Sequence, residues 1–334
     1  MTLLFCPCII QVNNDNTHCH CGLAPQSHKR KRPLLKDEVL SILERKKGTV
    51  VTGGQMANSL KVSRTAIWKA INTLQAEGNK IESVPNVGYK LSSNDDSLSK
   101  WAIQSKLKTS FVGQQLEVLP IVNSTNQYLK ELEESSAVDG LVAIADGQER
   151  GRGRRSKSFV SEKGEGIYLS ILLEFDGKQK DVLLLTICAA VAVTKAIENI
   201  CEIDTGIKWV NDVFVGDKKI CGILTEATLS AELQELERVV IGIGINTGEI
   251  PSELEQIATS TQKETGKRGL RNELVVEVLN QFEDVYLDCV KRDKEDEVID
   301  YYDNKLFVRG EFDEWRLRVK PAMTPQKNND TTKE

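Results

Sequence analysis

The sequence predicts an α+β protein in which a small winged helix-turn-helix domain precedes a larger domain with a mixed β-sheet. Helical periodicity followed by a hairpin pattern predicts the first domain in residues 34–92. A hairpin of Val213–Val215 and Lys219–Leu224, turned at residues 216–217, beside long helices such as Asp181–Ile200, predicts the second in residues 101–304. Residues 93–100 are polar and acidic and predict a linker. We expect residues 1–33 to be a disordered extension or an upstream stretch that is not translated, and residues 305–334 to be a truncated C-terminal remnant and tail.

Three helices and a hairpin are predicted in the first domain. The first helix begins near Leu35, and the third begins at Arg64 behind Ser63, whose hydroxyl suits an N-cap. A hairpin with a Pro-Asn-Val-Gly turn follows between Lys80 and Leu91. This order of elements is that of a winged helix-turn-helix.

The start of the third helix carries the residues that we expect to contact DNA, because this part of such a motif enters the major groove. Residues 34–92 hold nine basic and five acidic residues, whereas the whole chain has a net charge of −5, so the excess of basic residues favours an anionic partner. The alternative is a winged helix that binds protein or presents a charged solvated face. Because one module offers little surface, DNA binding is expected to need a dimer. The expected DNA-binding residues are Ser63, Arg64, Thr65, Trp68 and Lys69.

The histidines and half of the eight cysteines crowd the N-terminal extension. Four cysteines lie between Cys6 and Cys21, but their spacing is not that of a zinc finger, so a zinc-binding DNA protein is a disfavoured alternative. Residues 34–334 contain no histidine, and any chemistry there has to proceed without a histidine base, nucleophile or metal ligand. We predict no metal ligands in the chain.

A cytoplasmic protein is expected. The four remaining cysteines are scattered among apolar residues, which favours a reducing compartment. The first dozen residues lack the basic start of a signal peptide and are interrupted by Pro7. The longest apolar stretch, Val182–Val193, is interrupted by Thr186 and is shorter than a membrane span, so no membrane association is expected.

A run of glycine and basic residues is the strongest local signal for chemistry. Five cations lie between Arg150 and Lys157, and Gly151 and Gly153 allow the backbone to approach a ligand closely. Because guanidinium groups pair with phosphate oxygens, this segment suits a nucleoside triphosphate. The alternative is a flexible basic loop, and the run lacks the third glycine of a dinucleotide-binding fingerprint.

A second signal is the segment Lys-Trp-Val-Asn-Asp at 208–212. Strand alternation predicts that Lys208 shares a face with Val210, where its ammonium group either snorkels to solvent or faces a pocket as a cation for a substrate carboxylate. Asn211 and Asp212 also suit an ordinary turn.

A third signal is Asn-Ser-Thr-Asn at 123–126, between a predicted strand and a helix predicted over Asn126–Glu134. Such residues usually cap the helix, and they also suit the polar head of a ligand in an otherwise apolar pocket.

In this order the three signals resemble the biotin–protein ligase family, and more closely its bifunctional members, the biotin operon repressors. The resemblance runs from about Leu35 to about Asp300 and implies a class II synthetase-like fold for the central domain. Its motifs are Asn-Ser-Thr-Asn at 123–126, Gly-Gln at 147–148, Gly-Arg-Gly-Arg-Arg at 151–155, Lys-Trp-x-Asn-Asp at 208–212, Lys-Ile-Cys-Gly-Ile-Leu-Thr-Glu at 219–226 and Gly-Ile-Gly-Ile-Asn at 242–246.

The resemblance implies ATP-dependent biotinylation in two steps. Biotin's carboxylate would attack the α-phosphate of ATP to give biotinyl-5'-AMP, and a lysine of biotin carboxyl carrier protein would then attack that anhydride. Both nucleophiles belong to substrates, so catalysis would rest on positioning and charge neutralisation, with Mg²⁺ accompanying ATP. Biotinyl-AMP would also favour a homodimer that binds operator DNA and represses biotin genes.

The resemblance also implies roles for individual residues. Arg152 and Lys208 would be catalytic. Asn246 would join the nucleotide site. The implied biotin-binding residues are Ser124, Thr125, Asn126, Gln148, Arg152, Gly153, Arg154 and Lys208, and the implied ATP-binding residues are Arg152, Arg154, Arg155, Asn211 and Asn246.

The sequence departs from the family pattern at Val210, Ser156 and Lys157, and most strongly at its C-terminal end. The family ends in an SH3-like barrel, which is expected in this chain to be truncated or missing because Phe307–Lys320 offers one or two strands. An alternative function is therefore a biotin-sensing repressor with impaired ligase activity. A lipoyl ligase is disfavoured by the Gly-Arg-Gly-Arg and Lys-Trp-x-Asn-Asp motifs. We further expect Gly151–Lys157 to be disordered when empty and to fold over biotinyl-AMP.

Overall fold

The fold is described from a computed structural model. From Leu35 onward the described residues belong to one compact unit. The expectations for residues 1–33, including the zinc alternative, and for residues beyond Val308, including the shortened barrel, lie outside the described residues. The structure describes residues 34–93, 95–133, 136–154, 158–174, 179–229, 236–290, 292 and 294–308.

The predicted winged helix-turn-helix is confirmed. Thr52 caps the second helix in a reciprocal capping box, and Ser63 caps the third by accepting from the Ala66 amide at 3.1 Å. Apolar residues of the three helices and the hairpin form a core of their own around Leu43, Met56 and Ile71. The elements are α1 (Leu35–Arg45), β1 (Val50–Val51), α2 (Gly53–Leu60), α3 (Arg64–Ala76), β2 (Ile81–Val84) and β3 (Gly88–Leu91), with the described strands in the order β1-β3-β2.

The second domain is built on a mixed sheet, as predicted. Within the described residues its strands follow the order β11-β7-β8-β9-β10-β6-β5-β4, and the pairs β4–β5 and β7–β11 are parallel while the others are antiparallel. The strands are β4 (Leu116–Val122), β5 (Val142–Gln148), β6 (Gly166–Glu174), β7 (Gly206–Lys208), β8 (Asp212–Val215), β9 (Lys218–Leu229), β10 (Leu236–Asn246) and β11 (Leu306–Val308).

Helices cover the two faces of this sheet unequally. Two long helices, α6 and α8, pack together on one face, where alternate apolar residues of β6 and β10 such as Ile171 and Ile241 point. A short helix, α5, lies on the other face against β5, β6 and β10. The helices are α4 (Lys100–Gln104), α5 (Thr125–Lys130), α6 (Gln179–Cys201), α7 (Thr261–Thr265), α8 (Arg271–Val290) and α9 (Glu295–Lys305).

The helix α6 is, among the described helices, the one long and apolar enough to cross a membrane by length and composition. Of the window Val182–Cys201, 67% is buried inside the protein. Residues such as Cys188 and Val193 are fully buried against the sheet and α8. The burial of α6 is therefore that of a core helix. Such helices can also be long and apolar enough to meet the criterion for a membrane span.

The segment predicted to be a linker is hydrogen-bonded to residues before it and after it in the chain. Asp95 is 1% exposed, and its carboxylate accepts from the Lys80 amide at 2.9 Å while its carbonyl accepts from the Lys47 ammonium at 2.7 Å. The Asp96 carboxylate accepts from the Arg271 amide at 3.0 Å, and its carbonyl accepts from the Arg271 guanidinium at 3.1 Å. Polar residues in this segment hydrogen-bond to neighbouring backbone and side chains, which composition alone does not reveal.

Two predicted elements differ from the structure at their ends. The helix expected from Asn126 to Glu134 ends at Lys130. The strand expected to continue to Val210 ends at Lys208, where it faces Asp212 of the neighbouring strand. The strand ends where its pairing with β8 stops, a point that apolar alternation in the sequence does not mark.

Candidate active site

A cavity of about 380 Å³ opens on the sheet face that carries α5. Its floor is cut into β10, whose alternate residues are isoleucines on the face toward α6 and glycines on the opposite face. A Cβ atom at Gly242 would lie 2.2 Å from the Asn126 side-chain oxygen, and one at Gly244 would lie 2.6 Å from the Phe159 ring. The two glycines therefore provide the space that the cavity needs.

One end of the cavity is a chain of neutral polar groups. Ser124 is at the N-cap position of α5 but makes no capping hydrogen bond, and it is 4% exposed beside the cavity. The side-chain oxygen of Gln148 accepts from the Thr125 amide at 2.8 Å, and its side-chain nitrogen donates to the Ser161 hydroxyl at 2.9 Å. Donors and acceptors fixed in this way suit a neutral ligand group that needs both.

Asn126 is held at the centre of a second network. Its side-chain nitrogen donates to the Glu226 carboxylate at 2.8 Å, and its oxygen accepts from the Ser170 hydroxyl at 2.6 Å. Lys130 completes the network with a 2.7 Å ion pair to Glu226. Burial opposes the ionisation of Glu226, but the hydrogen bonds from Lys130 and Asn126 outweigh it, and the pKa of this carboxyl lies below its ordinary value.

The other end of the cavity is rich in charge. The segment around Arg152 turns back on itself, because Arg152 forms a β-bridge with Ser158. The Arg154 guanidinium donates to the Asn211 side-chain oxygen at 3.0 Å. Lys219 forms a 2.8 Å ion pair with Asp212. Among the described residues that line the cavity, Arg152, Arg154 and Lys219 are cationic and Asp212 is anionic, which leaves an excess of positive charge.

Most of the expected ligand residues do line this cavity. Asn246 does not, because its side chain donates to the Thr259 carbonyl at 3.0 Å, and Arg155 lies outside the described residues. In the part of the chain that the structure describes, no group of three His, Cys, Asp or Glu side chains is close enough to hold a metal ion. The expected residues that line the cavity are Ser124, Thr125, Asn126, Gln148, Arg152, Gly153, Arg154 and Asn211.

The placement of Lys208 differs from the prediction. Lys208 is exposed while Val210 is buried, so the two do not share a face. The strand ends at Lys208, so its alternation does not extend to Val210. The Lys208 ammonium lies 5.7 Å from the centre of the Phe214 ring, and Lys208 does not line the cavity.

Several cavity residues were not predicted. Gly222, Gly242 and Gly244 belong to motifs that carry the family resemblance, yet only the strand pairing shows that their missing side chains form the floor. Phe159 had no signal in the sequence. The unpredicted lining residues are Ser158, Phe159, Leu169, Trp209, Asp212, Lys219, Gly222, Ile223, Leu224, Gly242, Ile243 and Gly244.

The residues expected to contact DNA all lie at the start of α3 and on its exposed side. Trp68 is 53% exposed, so its ring is accessible to a partner. Ser63, Arg64, Thr65 and Lys69 are exposed as well. The Ser63 hydroxyl already serves as the helix cap.

Comparisons with known proteins agree with this arrangement. Residues 118–246 match the biotin/lipoate A/B protein ligase family, and residues 36–90 match an HTH domain. Fold and cavity thus define a protein ligase of the biotin or lipoate class with an HTH domain at its N-terminal side. Biotin protein ligase from Aquifex aeolicus in complex with biotin and ATP has a TM-score of 0.51 at 33% identity, covering 58% of this chain and 79% of that one.

Similarity to curated proteins narrows the class. The bifunctional ligase/repressor BirA of Bacillus subtilis (strain 168) is 36% identical over 261 residues, covering 77% of this chain and 80% of that protein. The bifunctional ligase/repressor BirA of Escherichia coli (strain K12) is 32% identical over 199 residues, covering 60% of each. This chain belongs to the family of bifunctional biotin–protein ligases and repressors.

Proposed function

We propose that the cavity joins biotin to AMP and passes the biotinyl group to a lysine of a carrier protein. The observation that supports this most directly is that one cavity is lined both by neutral polar side chains, including Thr125 and Gln148, and by the cations Arg152, Arg154 and Lys219. Biotin combines a neutral ureido head with an anionic carboxylate, and ATP supplies a polyanion. A single cavity with both ends suits the two substrates meeting in it.

Biotin's head would occupy the neutral end. Ser124, whose hydroxyl makes no capping bond, and Thr125 and Gln148 offer both donors and acceptors to a ureido group. Asn126 contributes through its fixed amide. The valeryl chain would pass over the glycine floor of β10 toward the cations, where its carboxylate ends.

In the first step a carboxylate oxygen of biotin attacks the α-phosphorus, and the bond from that phosphorus to the bridging oxygen breaks, so that pyrophosphate leaves with the electron pair. Arg152 and Arg154 neutralise the negative charge that three phosphates and a carboxylate bring together, and Gly153 lets the backbone approach them. Asn211 orients Arg154 through their 3.0 Å hydrogen bond. Mg²⁺ arrives on the phosphate oxygens as part of the nucleotide substrate.

In the second step the ε-amine of the acceptor lysine attacks the carbonyl carbon of biotinyl-5'-AMP. AMP leaves with the bonding electrons, and the attacking nitrogen passes one proton to solvent as the amide forms. The acceptor has to be neutral to attack, and residues 34–334 contain no histidine that would act as its base. The ligase would accelerate transfer by positioning the anhydride and by binding the leaving phosphate.

The N-terminal domain would make the same ligand a transcriptional signal. The exposed start of α3 presents Arg64, Trp68 and Lys69 to a major groove, and a two-fold operator would require a homodimer. We propose that biotinyl-AMP favours this dimer, that the operator precedes biotin genes, and that the protein acts in the cytoplasm.

The decisive experiment supplies the purified full chain with Mg²⁺, biotin and α-³²P-labelled ATP, followed by a biotin carboxyl carrier domain. We expect labelled biotinyl-AMP to form before the carrier is added. After the carrier is added, we expect biotinyl-AMP to disappear while the carrier becomes biotinylated. Absence of biotinyl-AMP would overturn the proposal. Formation of biotinyl-AMP and operator binding without transfer would instead favour a biotin-sensing repressor.

Sedimentation with and without biotin plus ATP tests the proposed dimer. A protein that remains a monomer under both conditions would contradict it.

A further inference from the structure

The side chain of Lys219 lines the cavity, where the family resemblance implied a role for Lys208. Its ammonium nitrogen lies 2.8 Å from an Asp212 carboxylate oxygen and 5.8 Å from the centre of the Phe159 ring. Its side chain is 30% exposed, so the ammonium is partly shielded from water but reachable from the cavity.

A register shift between β8 and β9 places this lysine. Val213 pairs with Cys221, whereas Phe214 pairs with Lys219, so Ile220 is an extra residue on β9. Such bulges redirect side chains relative to simple alternation. In β9 the Lys219 ammonium comes to lie over Gly222, where a Cβ atom would be only 2.8 Å from its nitrogen.

The backbone of Lys219 is fixed from the other side as well. Its amide donates to the Ile257 carbonyl, and its carbonyl accepts from the Thr259 amide, both at 2.9 Å. These bonds form a parallel bridge to Ala258. A lysine held by a bulge, a glycine and a bridging loop keeps its charge in one place, which is the requirement for a group that orients a substrate.

We propose that Lys219 binds the phosphates of the nucleotide and that Asp212 holds its ammonium in position for them. The inference rests on the proposed function. Lys219 on β9 contacts Asp212, and Arg154 in the basic loop contacts Asn211. Because Asn211 and Asp212 are neighbours in the chain, the two cations lie in one region of the cavity. Two cations on either side of Asn211 and Asp212 suit a polyanion better than a single carboxylate.

Calorimetry with the full chain tests this assignment. Two titrations are compared. In the first, the Mg²⁺ complex of α,β-methylene-ATP, which cannot be cleaved at the α-phosphate, is titrated into protein that already contains biotin. In the second, biotin is titrated alone. Lys219→Met is expected to weaken nucleotide binding by about tenfold or more and to change biotin binding by less than about twofold. Lys219→Arg, which keeps the charge, is expected to recover part of the nucleotide affinity.

The neighbouring Lys218→Met is the matched control, because it removes the same charge from β9 without a cavity contact. It is expected to bind both probes as the unchanged protein does. Equal nucleotide binding by Lys219→Met and the unchanged protein would overturn the inference, as would a larger loss for biotin than for nucleotide. Failure of the unchanged protein to form biotinyl-AMP would count against the proposed function alone, because these titrations measure binding without turnover.

Discussion

At the scale of single residues, the cavity depends on side chains that are absent as much as on those present. The glycines of β10 lie under Asn126 and Phe159, and the isoleucines between them fill the core on the opposite face. One strand thus builds the hydrophobic core and the ligand floor through a simple alternation.

Gly242→Ala is expected to weaken biotin binding by about tenfold, because the added methyl group would displace the Asn126 amide from its three partners. Calorimetric titration with biotin checks this. Gly53→Ala is the control, since its Cβ atom would make only an ordinary contact of 3.5 Å with Tyr89. Unchanged biotin affinity in Gly242→Ala would show that Asn126 does not support the biotin head.

Glu226 gives the site a pH-dependent contribution to stability. Its pKa is depressed in the folded protein, so the ion pair with Lys130 stabilises the fold above the ordinary pKa of glutamate and loses that effect as the pH falls through the depressed value. Glu226→Gln is therefore expected to lower the free energy of unfolding by about 1 kcal/mol near neutral pH and by less in acid. Urea unfolding at several pH values measures this difference.

The control for Glu226 is Glu255→Gln, which removes an exposed partner of Lys263. A pair of that kind contributes little, so its effect should be small at every pH. If the difference between Glu226→Gln and the unchanged protein grew toward acid pH, the depressed pKa of Glu226 would be contradicted.

At the scale of elements, the two faces of α3 have separate roles. Its buried face holds Ile67, Ile71 and Leu74 in the core of the first domain. Its exposed face presents the basic and aromatic residues proposed to read DNA. The separation lets the exposed face be altered without unfolding the domain.

Arg64→Ala is expected to weaken operator binding by about tenfold or more while leaving biotinyl-AMP formation unchanged. Lys46→Ala removes the same charge from an exposed site just after α1 and is expected to bind the operator nearly as well as the unchanged protein. Fluorescence anisotropy with operator DNA measures both. Equal losses in the two variants would indicate general attraction to DNA rather than contact by α3.

Elements follow from the sequence where local periodicity determines them. The three helices of the first domain, the long α6 and the glycine-turned hairpin of β8 and β9 were all predicted from apolar spacing and turn residues. The position of Lys219 was not, because an extra residue in β9 is set by pairing with β8 and by the loop at Ala258. The placement of Lys208 was not predicted for a similar reason. Its strand ends at Lys208, so the alternation of faces does not extend to Val210.

At the scale of the whole molecule, Arg271 ties distant segments together. It is 2% exposed, and its guanidinium donates to the Asp96 carbonyl, to the Gly166 carbonyl at 2.9 Å and to the Asp146 carboxylate at 2.8 Å. Asp146 lies two residues before Gln148 on β5. The segment between the domains is therefore connected to the strand that carries the neutral end of the cavity.

Asp146→Asn is expected to lower the free energy of unfolding by about 3 kcal/mol, because it leaves the buried Arg271 guanidinium without its countercharge. Asp204→Asn is the control, since Asp204 is 94% exposed in its pair with Lys305 and should contribute less than about 1 kcal/mol. Chemical denaturation compares them. Equal effects would mean that the Arg271 network adds no more than a surface ion pair.

The bound segment between the domains also decides where the chain can be cut. A shortened catalytic fragment that starts at Lys100 would discard the Asp96 and Ser97 carbonyls, which accept from Arg271 and Asn272. The Arg271 and Asn272 side chains at the start of α8 would then lose these two acceptors. A fragment intended to keep the native active site has to include this stretch, so in this protein the border of the DNA-reading module and the border of the catalytic unit overlap.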